Sequence, residues 1–171
     1  MRKLKFALGA AAVLVVVLLT TAWYMEMFRG IEVHEGPRGP FTFVYRETRS
    51  AGFAEVGIIT TTLDSMLLQR GISTRQPMDI FFPDGRAEIG FAIGNGSLLP
   101  PSDGLTHIRV IPSRTYMETT FPWKNRLSYI AGYIKVTHAF DEYRNLHAYG
   151  SAEAMTVHLG DSIEYLQPVV H

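Results

Sequence analysis

The chain has 171 residues, 16 basic and 16 acidic side chains, and no cysteine. This length is enough for one domain with a sizeable core, and the lack of cysteine excludes disulfides and thiolate chemistry. Three of the cations precede residue 6, so the rest of the chain carries 13 basic against 16 acidic residues. A slight negative excess without clustered cations argues against nucleic acid as a partner.

Residues 6–24 form an uncharged run that follows three cations and closes with Trp23 and Tyr24. As a helix the run would span roughly 28 Å, close to the ~30 Å hydrocarbon thickness of a bilayer. Basic residues before such a run favour a cytoplasmic N-terminus, and aromatic rings favour the membrane interface. The run therefore predicts an uncleaved transmembrane signal-anchor, with a cleaved secretory signal as the alternative.

This topology divides the chain into a cytoplasmic N-terminus at 1–5, a transmembrane helix at 6–24, a tether at 25–39 and one domain at 40–171. We expect a single-pass membrane protein whose domain is extracytoplasmic, and periplasmic if the source is bacterial.

The domain begins with a strand, a helix and a hairpin. Residues 41–48 are rich in aromatic and β-branched side chains, which predicts a strand. Apolar residues between 56 and 67 recur at helical spacing, and Gly71 is placed to end that helix. A turn at 83–86 then joins strands at 79–82 and 87–93.

The same order returns after a Gly-, Pro- and Ser-rich break at 95–104. A strand region at 108–120 is interrupted at Pro112, and apolar residues at helical spacing follow from 127 to 134. Thr137 is placed to cap a further short helix, and a hairpin at 153–167 completes the chain.

These elements predict an α+β fold of two β-α-β-β units, at about 40–97 and 107–170. Each unit offers one apolar sheet face and one helix stripe that it cannot bury alone, so the units should share one core. We expect one antiparallel sheet with its helices on one face and a concave groove between the halves.

Catalytic motifs are missing from the sequence. It has no Gly-rich phosphate loop, no nucleophile elbow and no pair of histidines at metal-ligand spacing. We therefore predict no catalytic residue, no metal ligand and no cofactor.

Aromatic residues are the more informative group. Five lie in the second unit and one in the first: Phe121, Trp123, Tyr129, Tyr133, Tyr149 and Tyr45. Each of these rings could pack the core, and together they could line a small-molecule pocket.

Glu153 is an unusual acid, because it opens a strand among small and apolar neighbours. Strand alternation places it on the same face as Met155 and Val157. A carboxylate on an apolar face needs a partner. A bound ligand, a distant arginine or exposure to water at the sheet edge would each satisfy it.

Two short motifs are similar to a known family. The segment TTFP at 119–122 precedes the second helix, and AYGSAEA at 148–154 precedes the last hairpin. With the duplicated order, they resemble the GyrI-like small-molecule-binding domain. Residues 30–33 after the apolar run extend the likeness to the membrane-anchored ER-phagy receptor type within that family.

The resemblance implies a groove between the halves that takes amphipathic, often cationic aromatic molecules. It places the ligand's countercharge on Glu153, at the start of its strand. It places aromatic walls on Tyr45, Phe121, Trp123, Tyr133 and Tyr149.

We therefore expect a membrane-anchored, non-catalytic binding domain for small amphipathic ligands that are cationic or aromatic. One alternative is a protein-interaction or scaffold module at the membrane, with an unidentified protein partner. Another is a hydrolase in which Glu153 acts as base or nucleophile and Tyr149 or Tyr133 as proton donor.

Overall fold

The computed structural model describes residues 2–24, 26, 28–49, 52–94 and 104–171, with the side chains of 2–8, 53 and 126 left out. The described part contains three helices: α1 Arg2–Tyr24, α2 Phe53–Gln69 and α3 Arg126–His147. It contains eight strands: β1 His34–Arg38, β2 Phe41–Thr48, β3 Arg75–Phe81, β4 Ala87–Ile93, β5 His107–Ile111, β6 Arg114–Pro122, β7 Ala154–His158 and β8 Ser162–Pro168. The predicted break at 95–104 lies outside the described residues except for Gly104.

The described strands form one curled antiparallel sheet in the order β1-β6-β8-β7-β3-β4-β2-β5. Units β2-α2-β3-β4 and β6-α3-β7-β8 have the same strand order, and they join where β3 pairs with β7. The predicted α+β class and the antiparallel sheet are confirmed.

The two outer strands are exchanged between the units. β1 precedes the first unit in the chain but pairs with β6 of the second, whereas β5 precedes the second unit but pairs with β2 of the first. The sequence analysis placed β1 inside the tether, because Gly36 and Pro37 are poor strand formers. An edge strand tolerates both residues, since a proline there loses no ladder hydrogen bond.

Both described domain helices cover the same sheet face, here called the outer face. Leu63 and Leu67 of α2 pack with Phe91 of β4, while Val136 and Phe140 of α3 pack over the second unit. The predicted placement of the helices on one face is therefore confirmed.

The helix-free face, here called the inner face, is buried by the curl of the sheet. Phe43, Met78, Tyr116 and Leu166 are fully buried there, although no helix packs on them. Residues of β2 and β5 at one end of the sheet share this cluster with Tyr116 of β6 and Leu166 of β8 at the other. The concave side of the sheet is therefore largely filled by side chains, apart from a small cavity beside Ile80 and Met155.

α3 is one continuous helix of 22 residues, so the predicted new helix at Thr137 is wrong. The start of α3 is fixed by a capping box in which Asn125 accepts from the Ser128 amide and Ser128 bonds back to Asn125.

The prediction that Gly71 ends α2 is confirmed, since Gly71 follows α2 with φ 73° and its amide donates to Leu68 O at 2.9 Å.

The uncharged run 6–24 lies within α1. Over the residues that the structure describes, no helix combines the length and the apolar character of a membrane span.

Gly90 is required by the close approach of β2 and β4. A Cβ built on it would lie 2.0 Å from Val44 O and 2.8 Å from Tyr45 Cα, so the backbones would have to separate. We expect Gly90→Ala to lower the free energy of unfolding by about 3 kcal/mol, measured by chemical denaturation. Gly57→Ala is the matched control, because a Cβ there meets nothing within 4 Å inside α2. It should raise stability by about 0.5–1 kcal/mol. Equal effects of the two substitutions would contradict the close approach.

Candidate functional site

The middle of the outer face lies between the two helices. α2 packs mainly against β4 and α3 mainly against β6, with Tyr165 of β8 beneath α3, so β3 and β7 are the strands between the helices. Asp79 of β3 is directly opposite Thr156 of β7, and Thr156 is directly opposite Tyr165 of β8. Residues opposite each other in an antiparallel sheet point to the same face. These three polar side chains therefore form a row where the two halves of the domain meet.

Asp79 is the buried acid of this row. Only 7% of its surface is exposed, and burial raises the pKa of its carboxyl to about 7 against the opposing effect of a hydrogen bond from the Gly90 amide. Among the described side chains, no lysine or arginine lowers this pKa. The carboxyl group is consequently poised between its neutral and charged forms near neutral pH.

Two buried hydroxyl groups next to Asp79 lack partners. Thr156 Oγ1 and Tyr165 Oη are buried without a hydrogen-bond partner among the described residues. Leaving such a group unsatisfied costs about 1–3 kcal/mol. Native proteins rarely accept that cost without a ligand, ion or water at the site.

Aromatic rings surround the polar row. Tyr129 of α3 is near Asp79, and burial followed by the Asp79 charge raises the pKa of its phenol. The Tyr129 ring is stacked with His158 of β7 at 6.4 Å, and Trp123 meets it edge-on at 6.0 Å. Burial lowers the pKa of His158, which keeps that ring neutral at pH 7. We call Asp79, Tyr129, Thr156, His158 and Tyr165 the helix seam.

Gly132 sets the height of α3 above the helix seam. A Cβ at this position would lie 2.7 Å from the Phe121 ring and 2.9 Å from Tyr165 Oη. Tyr133 is the next residue on the helix, is 43% exposed and influences the pKa of both Tyr129 and Tyr165. It therefore lies at the exposed margin of the helix seam, here called the seam rim.

The structure separates the aromatic residues that the sequence analysis grouped. Trp123 and Tyr133 adjoin the helix seam, and Phe121 is fully buried beneath α3. Tyr149 lies elsewhere, where its hydroxyl donates to Glu35 at 2.8 Å. Tyr45 is on the inner face, stacked on the Phe43 ring at 5.0 Å.

Glu153 also lies on the inner face, at a cavity of about 190 Å³ that Met155 helps to line. Its carboxylate is ion-paired with Arg114, whose Nε also donates to the Tyr116 hydroxyl at 3.0 Å. The sequence analysis left three partners open for Glu153: a ligand, a distant arginine or water. The structure contains the distant arginine, which is Arg114. A ligand role for Glu153 stays a prediction, and it would require that ion pair to open.

A larger cavity of about 470 Å³ lies at the sheet edge formed by β1, β6 and β8. Its charged groups pair with each other, since Arg38 contacts Glu118 at 2.8 Å and Glu164 at 3.0 Å. Each of these two carboxylates has a cationic contact within the chain, although they share one arginine, whereas Asp79 has none among the described side chains.

Asp79 is the functional candidate that sequence reasoning missed. The sequence predicts only that Asp79 lies in a strand, although a single acid inside the apolar run PMDIFF is a usable signal of a buried carboxyl group. The roles of Thr156, His158 and Tyr165 depend on cross-strand register, which the sequence does not show.

Three solved structures are similar in fold. The C-terminal domain of EcmrR matches with a TM-score of 0.60 and 12% identity, over 81% of this chain and 97% of that one. SAV2435 bound to tetraphenylphosphonium matches with a TM-score of 0.55 and 14% identity, over 81% of this chain and 93% of that one. A putative bacterial transcription regulation protein from Staphylococcus aureus MU50 matches with a TM-score of 0.52 and 13% identity, over 83% of this chain and 100% of that one.

At these identities the likeness shows the fold alone. No family model matches the sequence. No curated protein matches it either. The finer resemblance to the ER-phagy receptor type has no support in the three structures. The shared architecture is consistent with the GyrI-like small-molecule-binding fold that the sequence motifs resemble.

Proposed function

We propose that this chain is a binding domain for a small amphipathic cation, held in the helix seam with Asp79 as its countercharge. The observation that carries the proposal is a buried carboxyl group that no described lysine or arginine neutralises. A cation in the seam would replace the hydration that the carboxylate has lost. The unpartnered hydroxyls of Thr156 and Tyr165 would bind polar groups of the same ligand.

The aromatic rings suit the apolar part of such a ligand. Tyr129, His158 and Trp123 lie within ring-contact distance of one another beside Asp79. Aromatic faces attract cations and bury apolar surface together. The tetraphenylphosphonium bound to SAV2435 has this chemistry, which supports the same ligand class for a chain of similar fold.

We also propose that α1 anchors the domain to a membrane, with the domain extracytoplasmic. The support is the uncharged run 6–24, its flanking cations and the rings of Trp23 and Tyr24 at its end. The protein-interaction module and the Glu153 hydrolase stay alternatives, and no contact in the described part of the chain favours either one.

Asp79 and Glu153 lie on opposite faces of the sheet, so replacing each in turn tests which face binds the ligand. The full chain in lipid nanodiscs is titrated with tetraphenylphosphonium by calorimetry, with empty nanodiscs as the blank. We expect Asp79→Asn to weaken binding at least tenfold, because one lost charge contact at a desolvated site is worth more than about 1.4 kcal/mol. Glu153→Gln should change the affinity less than twofold.

Tetraphenylborate, of the same shape and opposite charge, is the ligand control and should not bind the wild-type chain. If Glu153→Gln abolishes binding and Asp79→Asn does not, the ligand binds the inner face and the proposed site is wrong. Binding unchanged in both variants would exclude either carboxylate as the countercharge.

The raised pKa of Asp79 predicts how stability depends on pH. Its pKa is about 7 in the folded chain against an ordinary value of 3.8, so folding takes up a proton between these pH values. The free energy of unfolding should therefore fall by about 3 kcal/mol as pH rises from 4 to 7. Asp79→Asn should remove this part of the dependence in denaturation curves at pH 4 to 8. An unchanged pH profile in the variant would show that Asp79 is not the titrating group.

A further inference from the structure

The first half of α3 exposes apolar side chains. Leu127 is 63% exposed, Ile130 39% and Ile134 63%, and their spacing places them on one side of the helix. We call these three residues the apolar stripe. Asp141, one to two turns further along the same side, is charged and half exposed. The apolar surface is therefore confined to the end of α3 where the helix begins.

That end of α3 is also the end attached to α1. Lys124, just before the Asn125 cap, donates from Nζ to Tyr24 O at 2.8 Å and pairs with Glu26 at 3.0 Å. Lys135 donates to the carbonyl oxygens of Glu26 and Arg29. The Lys124 bonds hold the start of α3 beside the end of α1, and the Lys135 bonds hold the middle of α3 against the segment that follows α1.

The apolar stripe resembles the apolar side of an interfacial helix. Its three residues span about 10 Å along α3, from Leu127 to Ile134. Helices that lie in a membrane interface bury such a side in the headgroup and acyl boundary. Trp23 and Tyr24, both exposed at the end of α1, have the side chains preferred at that depth.

We infer that the apolar stripe of α3 rests on the lipid surface beside α1, so that the helix seam takes its ligand from the membrane interface. This inference depends on the membrane anchor proposed above. Tyr133, between Ile130 and Ile134 in the chain, is at the seam rim, so the exposed margin of the seam lies beside the apolar stripe. An amphipathic cation concentrates at such an interface, because its apolar part leaves water while its charge stays near the headgroups.

The absence of cysteine from the sequence makes site-specific labelling direct. Leu127→Cys and Ile134→Cys, each in the full chain, are labelled with an environment-sensitive fluorophore and reconstituted into phosphatidylcholine–phosphatidylglycerol liposomes. His138→Cys is the matched control one turn beyond Ile134, where the side chain is 74% exposed. Ile58→Cys on α2 is a second control at an exposed apolar residue of the other helix.

We expect brominated lipids to quench the labels at 127 and 134 at least threefold more than the labels at 138 and 58. Flotation of the same liposomes measures the anchor separately. If the chain floats but all four labels are quenched alike or not at all, the inference is wrong and the anchor stands. If the chain does not float, the anchor and this inference both fail, whereas ligand binding by the seam is measured independently of either. Labels at 127 and 134 that are shielded from water but not quenched by lipid would show that a second copy covers the stripe, and would also overturn the inference.

Discussion

The lone carboxyl group of Asp79 is the constraint on which the proposed site depends. It lies on β3, the strand through which the two halves of the sheet are joined, and on the outer face between the two helices. A charge in that position is costly unless it is neutralised or paired. Burial raises the pKa of the group to about 7, so in the proposed site a proton and a cation would compete for one position.

The two faces of the sheet differ in whether their acidic side chains have counterions. On the inner face, the edge strand β5 contributes Arg109 to Glu88 at 2.5 Å, and Arg114 pairs with Glu153. Glu88 and Glu153 therefore have their counterions within the chain. Asp79 on the outer face has none among the described side chains. A buried acid that has a counterion in the chain is therefore no sign of a binding site, whereas a buried acid without one is a candidate for binding a ligand.

Much of the secondary structure could be predicted from sequence, since its determinants are local. Alternating apolar residues and the turn at 83–86 placed β2 and the β3–β4 hairpin. β1 was missed because its stability comes from pairing with β6, about eighty residues away, and not from its own composition. The break expected at Thr137 failed because Val136 and Phe140 pack continuously over the sheet, which outweighs a local capping preference.

The site was only partly predictable for a related reason. The aromatic residues predicted around the start of α3 include Trp123 and Tyr133, which adjoin the helix seam. Which acid they accompany depends on the sheet face to which it points and on cross-strand neighbours. Glu153 and Asp79 both lie in apolar strand sequences, and the sequence does not show that they point to opposite faces or that Glu153 pairs with the distant Arg114.

The exchange of edge strands has a consequence for how the duplicated halves are coupled. β1 completes the sheet of the second unit and β5 that of the first, so neither β-α-β-β copy is closed without a strand supplied from outside its own segment. Contacts between distant parts of the chain must form before either half is complete, which slows folding and makes it cooperative. With β1 and β5 exchanged in this way, the single chain has the connectivity of two strand-exchanged units joined end to end.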